Sequence, residues 1–446
     1  MRHPTMRYPS MRQTPIQSPR PFPIRGVSAT RTRIAAIAFA FALAFAIPPT
    51  TVFAQEDDPF DTEAFDSGVA AAVGEGGAEK IEFLAGGTFL PSVSAVATSG
   101  FGGYSTSGSL SGKLFGKVSL PRYGSLYLSY AMTHQFLQGR GGDMPIASVP
   151  ARSLFAPVFT LSELHFSFDI AKALFIRFGN QLISWGPSRI WTPVDFINLQ
   201  KADSFQGVDL RVGKPGLRFH VPLKSSNLFA FADFSGTVDT STTPATVRDF
   251  ARYTNLGLRY DLAFAGFETG LTAYAGLETQ ARAGLDFSGR LLGTTVYGEA
   301  ALLPAYAGYD FSWMASVGFD RKLGELKNIT LSGEFFYKSD GEADESDYLT
   351  LIAAGRFSPT YVGKYYAYAG LSVAELFSPD LSTSLSAIAN LADMSASVRL
   401  TETVAVGGLP PFSLILGWTG GGPGKAFTIF SGDGALSLTL QSRIEF

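Results

Sequence analysis

One stretch of the sequence concentrates side chains that could contact a small solute. It reads RFGNQLISWGPSRIWTPVDFIN over residues 177–198. The side chains with suitable chemistry are Trp185, Trp191, Arg177, Gln181, Arg189 and Asp195. An aromatic face covers the C–H surface of a sugar ring or an acyl chain, while arginine pairs with carboxylates. The stretch therefore predicts a contact surface for carbohydrate or for small amphipathic anions.

Strands of period two must position these side chains. Leu256, Leu258 and Tyr260 alternate with Arg259 and Asp261, and this pattern recurs along most of the chain after residue 80. Short turns also alternate with longer connections. Strands of about ten residues with one polar face, joined in this way, are typical of transmembrane β-barrels. We therefore predict an all-β fold, a transmembrane antiparallel barrel of about 16–18 strands over residues 80–446. A soluble all-β protein is the alternative.

The N-terminal residues predict export. Residues 1–54 contain seven arginines and neither lysine nor acidic residues. The apolar run 34–47 is shorter than the ~20 residues that a membrane-spanning helix needs, and small residues precede position 55. We expect a signal peptide over residues 1–54, cleaved after Ala54, with an uncleaved anchor as the alternative. An acidic periplasmic segment over residues 55–79 would follow.

The charge of the mature chain limits its partners. Without the leader, Lys plus Arg falls from 35 to 28 (35 − 7) against 38 acidic residues, so the net charge is about −10. This balance argues against a nucleic-acid partner. The chain has no cysteine, and an exported protein without disulfides depends on packing or on a closed hydrogen-bonded ladder.

The chain ends in the middle of a strand. The last residues, GDGALSLTLQSRIEF, place Leu436, Leu438 and Leu440 on one side, and Phe446 lies on the same apolar side. This strand resembles the terminal signal of bacterial outer-membrane proteins, which the barrel-assembly machinery recognises. The resemblance implies an outer-membrane location in a diderm bacterium, contact with its lipids, and Phe446 as the assembly signal.

A second resemblance concerns function. The Gly-x-Gln, Trp-Gly-x-Ser and Pro-Val-Asp elements of residues 179–195 resemble a motif of porin-like outer-membrane barrels, including the uncharacterised porin-like and alginate-export-like groups. The likeness spans about one hairpin and implies a channel for the passive transport of small solutes. The aromatic-rich composition is also similar to that of long-chain fatty-acid transporters, which stand as an alternative.

The connection at about residues 186–206 has two interpretations. It forms a constriction in the pore, or it only stiffens the barrel with Trp185 and Trp191 as packing anchors. Inward-facing charges would set which solutes pass. The predicted lumen-lining charges are Arg218, Arg259, Arg282, Arg290, Glu268, Glu299, Glu334, Asp209, Asp233, Asp261 and Asp286.

The sequence offers little for catalysis or metal binding. His134, His165 and His220 are widely separated and lack a His-Glu-x-x-His spacing. The GGGPGKA stretch at 420–426 has alanine where a phosphate loop needs serine or threonine. We therefore expect no enzyme activity, no cofactor and no metal. An outer-membrane enzyme and a surface adhesin or scaffold remain as alternatives, and the chain is consistent with a monomer or a trimer.

Overall fold

The chain forms one closed antiparallel β-barrel. The computed structural model describes residues 80–99, 102–142, 156–198, 208–236, 246–306, 310–324, 328–342, 348–353 and 357–446. Within these residues, 18 strands make the barrel, which confirms the predicted fold class and the upper limit of the predicted strand number. The predicted signal peptide and the acidic segment 55–79 lie outside the described residues.

The strands follow one another around the barrel in chain order. They are β1 (Glu82–Thr98), β2 (Gly103–Leu120), β3 (Gly124–Gly142), β4 (Val158–Ile170), β5 (Leu174–Gln181), β6 (Lys214–Pro222), β7 (Ser226–Asp233), β8 (Asn255–Phe264), β9 (Phe267–Gly276), β10 (Thr279–Leu291), β11 (Thr294–Leu303), β12 (Ser312–Leu323), β13 (Ile329–Lys338), β14 (Tyr365–Ala374), β15 (Leu381–Asn390), β16 (Ser395–Val404), β17 (Phe412–Gly420) and β18 (Gly434–Ser442). A two-residue strand β19 (Ile444–Glu445) continues β18 after a break. Two short helices, α1 (Val247–Tyr253) and α2 (Tyr348–Ala353), lie in connections.

The first and last strands close the ring. β1 pairs with β18 from Ser92↔Gln441 to Thr98↔Ala435, and with β19 at Phe89↔Ile444. The backbone of Phe446 adds reciprocal hydrogen bonds with Gly87, at 3.1 and 3.2 Å. Because every strand then has two neighbours, the barrel leaves no open edge, as a bilayer interior requires.

Alternation of side chains gives the barrel an apolar exterior. On β8, Leu256 and Leu258 are 61% and 53% exposed on the outside, while Arg259, the residue after Leu258, is 9% exposed on the inside. Trp313 and Trp418 also lie exposed on the outer face. A large exposed apolar surface is unstable in water but suits contact with lipid.

The two rims of the barrel differ in their connections. The short-turn rim includes the two-residue hairpins Ala265-Gly266 and Leu292-Gly293, in which both residues have positive φ. This geometry matches the twist of paired strands. The long-loop rim carries the connections with α1 and α2 and the connection between β5 and β6. Short turns mark the periplasmic side of such barrels. Among the described residues, no helix has the length and apolar character needed to cross a bilayer.

Candidate functional site: an inner loop held by the barrel wall

The connection between β5 and β6 folds into the barrel. We call residues 182–198 the inner loop; it begins at Leu182, earlier than the expected start near residue 186, and residues 199–207 lie outside the described part of the chain. Ile183, Val194 and Ile197 are all at most 2% exposed, although no regular secondary structure contains them. Irregular backbone at membrane depth is tolerated where protein covers it or where it lines water.

Apolar contacts attach the inner loop at two places. Near its start, Trp185 joins Phe196 in a buried cluster with the wall residues Phe231 and Tyr274. Farther along, Trp191 joins a second cluster with three wall residues, Phe336, Tyr366 and Ile388. Its ring stacks on Phe336 with centroids 5.5 Å apart and planes 7° apart. The two tryptophans therefore act as anchors on the wall, and Trp191 has no exposed surface.

Glu299 of β11 fixes the middle of the inner loop. Its two carboxylate oxygens accept hydrogen bonds from the backbone N–H groups of Ser188 and Val194, at 2.8 and 3.0 Å. Gly186 permits this approach, because it has a φ of +99° and a Cβ at this position would lie 2.3 Å from the Glu299 carboxylate. A side chain at residue 186 would therefore displace the carboxylate.

Glu334 of β13 fixes the next turn of the loop. One oxygen accepts from the N–H of Trp191 at 2.9 Å, and the other from Arg189 and Ile190 at 3.1 and 3.2 Å. Tyr297 donates its hydroxyl to the same carboxylate at 3.2 Å. Glu334 is only 4% exposed, and a buried carboxylate needs hydrogen bonds such as these to remain inside a protein. Two glutamates thus hold five backbone N–H groups of one loop.

Other predicted contact residues are distributed around the loop. Gln181 is fully buried at the end of β5, where its amide donates to the carbonyl of Gly216 at 3.4 Å. Asp195 is 4% exposed and lies 3.7 Å from the guanidinium of Arg211. Arg177 lies nearer the short-turn rim and donates to the Ser167 hydroxyl at 3.1 Å.

Arg189 differs from the other predicted contact residues because it projects from the loop. Its side chain is 61% exposed, and its Nε lies 2.6 Å from the carboxylate of Asp320 on β12. The pair places a cation and an anion together at the free surface of the inner loop.

An ion-pair clamp of Asp209 and Arg211 holds the end of the connection that leads into β6. Arg211 donates to both oxygens of Asp209, with distances of 2.8 to 3.1 Å. Burial alone would raise the pKa of Asp209, but the hydrogen bonds and charge of Arg211 outweigh it and lower the pKa below its ordinary value. Because Arg211 also faces Asp195, this clamp connects residues on both sides of the undescribed segment.

Most of the predicted lumen-lining charges contact protein groups. Arg259 binds both oxygens of Asp286 at 2.7 and 3.0 Å and also lies 2.8 Å from Asp261. Arg282 donates to the carbonyl of Phe196 at 3.3 Å. The remaining members of that set are Asp233, which accepts from Tyr274; Arg218, which lies over the Phe229 ring; and the exposed Arg290 and Glu268.

Sequence reasoning missed several residues that hold the loop. Lys113 and Glu163 form a buried ion pair at 3.3 Å, and Glu163 also accepts from the N–H of Leu182. Ser316 bonds the Ser188 hydroxyl at 2.7 Å. Alternation indicates that such residues face inward, but only the folded loop shows which backbone groups they meet. The described residues contain no group of three or more His, Cys, Asp or Glu side chains able to hold a metal ion.

Comparisons with known proteins support the fold. No family model and no curated relative matches the chain. Solved structures do: OprD of Pseudomonas aeruginosa has 9% identity and a TM-score of 0.50, and the match covers 83% of this chain and 97% of that protein. OccK2 (OpdF) of the same organism has 11% identity and a TM-score of 0.53, with 82% and 98% covered. A BenF-like porin from Pseudomonas fluorescens Pf-5 has 12% identity and a TM-score of 0.52, again with 82% and 98% covered. At these identities the likeness concerns the fold: this chain has the 18-stranded barrel fold of outer-membrane porins.

Proposed function

We propose that the protein is an outer-membrane channel for the passive transport of small solutes. The observation that carries this proposal is a closed barrel with an apolar exterior and a polar interior wall. A barrel of this strand number usually encloses water rather than a packed core. A water-filled passage through an apolar-coated wall lets polar solutes cross a bilayer without losing their hydration.

The inner loop forms the constriction of this channel. It lies inside the barrel, where Glu299 and Glu334 hold it against the wall, so it narrows the lumen. Of the six predicted contact residues, Arg189 is the one that we assign to solute contact, since its side chain is the most exposed. Trp185 and Trp191 support the constriction by packing against the barrel wall.

The polar interior argues against the alternative functions. A fatty-acid path needs continuous apolar surface, whereas inward-facing positions carry the charged and hydroxyl side chains described above. An outer-membrane hydrolase needs a nucleophile beside a base. The Ser167 hydroxyl lies 3.4 Å from Nδ1 of His165, but Arg177 also donates to this hydroxyl, and the His165 ring is 8% exposed and stacks on Tyr127, which leaves little room for a substrate. The His220 ring stacks on Phe229 with centroids 4.3 Å apart.

Planar-bilayer recording of the purified protein tests the proposed function. We expect discrete conductance steps from protein that migrates differently on a gel before and after boiling. A boiled sample of the same preparation is the control, because it contains the same chain without the folded barrel. Folded protein that gives no steps would refute the channel.

A further inference from the structure

The inner wall of the barrel has two halves with different chemistry. The inner loop contacts the wall from β7 to β15, through Phe231, Glu299, Glu334 and Ile388 among others. In a closed ring of 18 strands, strands nine positions apart lie opposite each other, so β17, β18, β1 and β2 lie across the lumen from β8 to β11, which the loop covers. The open passage therefore lies between the loop and these four strands.

The wall opposite the loop is lined with hydroxyl groups. We call its inward-facing residues Ser92, Ser94, Ser107, Ser109, Ser437 and Thr439 the hydroxyl wall. Ser94 and Ser107 form a hydrogen bond of 2.7 Å across β1 and β2, and Ser92 and Ser109 form one of 2.9 Å. All six side chains are partly exposed.

Charge is scarce at the level of the hydroxyl wall. On β17 and β18, all of whose residues the structure describes, no inward-facing residue is charged, and Arg399 is the one inward-facing charge of the neighbouring β16. The inward-facing charges of β1 and β2 are Glu82, Lys113 and Lys117, which lie nearer the short-turn rim than the six hydroxyls, and Lys113 is paired with Glu163. Across the lumen, by contrast, Asp286, Glu299 and Glu334 are 3–4% exposed and bind protein groups. The inner loop covers much of the charged half and leaves the hydroxyl half facing water.

We propose that solutes pass along the hydroxyl wall and that the channel therefore selects uncharged, hydroxyl-rich small molecules such as sugars and other polyols. A serine or threonine hydroxyl both donates and accepts, so it replaces the water bound to either kind of group on a polyol. A charged solute loses hydration along this wall without meeting an opposite charge. At the loop surface, Arg189 and Asp320 largely neutralise each other. This inference rests on the proposed channel function.

Cysteine substitution tests the path. The natural chain has no cysteine, so a single introduced thiol reports on its own position. We expect an anionic, water-soluble thiosulfonate reagent to reduce the conductance of Ser107→Cys and Thr439→Cys channels and to shift their preference toward cations. Ala301→Cys is the matched control, because Ala301 lies under the inner loop with no exposed surface and should not react. If either wall variant does not assemble, Ser94→Cys is tested in its place.

Solute uptake tests the selectivity. Liposomes containing the unmodified protein should swell faster in a neutral pentose than in a sugar acid or an amino sugar of similar size. Faster swelling in either charged sugar, or equal reagent effects on the wall variants and the control, would overturn the hydroxyl-wall inference while conductance steps still supported the channel. The absence of both steps and swelling would overturn the channel and this inference together.

Discussion

At the scale of single residues, the inner loop depends on two buried carboxylates of the wall. Glu299 and Glu334 each accept hydrogen bonds from N–H groups that no strand partner satisfies. A buried N–H group that loses its acceptor destabilises the fold by the desolvation cost of that group. The loop conformation is therefore specified by the wall more than by its own sequence.

Replacing Glu334 by alanine should release the turn around Trp191. Three backbone N–H groups and the Tyr297 hydroxyl lose their acceptor, so we expect a loss of roughly 2–5 kcal/mol in the free energy of unfolding. Denaturant unfolding followed by gel mobility measures the loss, and single-channel recording should show a noisier open level. Glu268→Ala is the matched control, because Glu268 faces inward but is exposed. Equal stability of the two variants would contradict the anchoring role.

Arg189 should affect ion preference with little effect on stability. Its exposed pair with Asp320 contributes about 0–1 kcal/mol to folding. Arg189→Ala leaves the Asp320 carboxylate at the constriction without this cation, so we expect a shift toward cation selectivity. The reversal potential under a salt gradient measures it. Asp320→Asn should shift selectivity the other way, and a double variant should return near the original value. Identical reversal potentials in all three variants would place the pair outside the conduction path.

At the scale of elements, the inner loop can be tested as a unit. Replacing residues 187–193 with a glycine–serine segment of equal length removes the Trp191 anchor and makes the backbone that donates to Glu334 flexible, but it keeps the connection closed. If the loop forms a constriction, the barrel with the replaced loop should still migrate anomalously without boiling and should conduct more current per channel. A purely stiffening loop predicts lower stability at unchanged conductance. The same replacement at residues 405–411, on the short-turn rim, is the control and should change neither property.

The sequence predicted the strands well and the loop contacts poorly. Most barrel strands repeat a period of two, as Leu256, Leu258 and Arg259 illustrate, so their outward faces could be assigned from local order alone. The bulge at Phe136 and Leu137 of β3, which are both exposed, is an exception that the period does not predict. The role of Glu334 could not be assigned in that way. It depends on the backbone of residues 189–191, about 145 positions away, and local alternation carries no information about such a partner. For the same reason Trp191 was predicted as a solute contact as well as an anchor.

At the scale of the whole molecule, closure depends on the last strand. Phe446 stacks on Phe89 with ring centroids 5.7 Å apart, and its backbone bonds to Gly87. Deleting Phe446 removes these contacts at the seam between β1 and β19. We expect less folded protein in the outer membrane, measured as the fraction of heat-modifiable protein in membrane extracts. Leu292→Ala, at an exposed hairpin tip, is the control. An undiminished folded fraction after deletion would contradict the assembly role that we propose for Phe446.

Because the first and last strands pair with each other at the seam, the order of the strands around the barrel does not depend on which strand comes first in the chain. Lys80 precedes β1 at the rim where the final strand ends, and the short hairpins at Ala265-Gly266 and Leu292-Gly293 open on that same rim. A short linker from residue 446 back to residue 80 could therefore replace the present ends, with new ends cut at either hairpin. Such a circular permutant would keep every strand pair and the inner loop while presenting a different terminal strand. It would show whether a given terminal strand is required for the stability of the folded barrel or only for its insertion into the membrane.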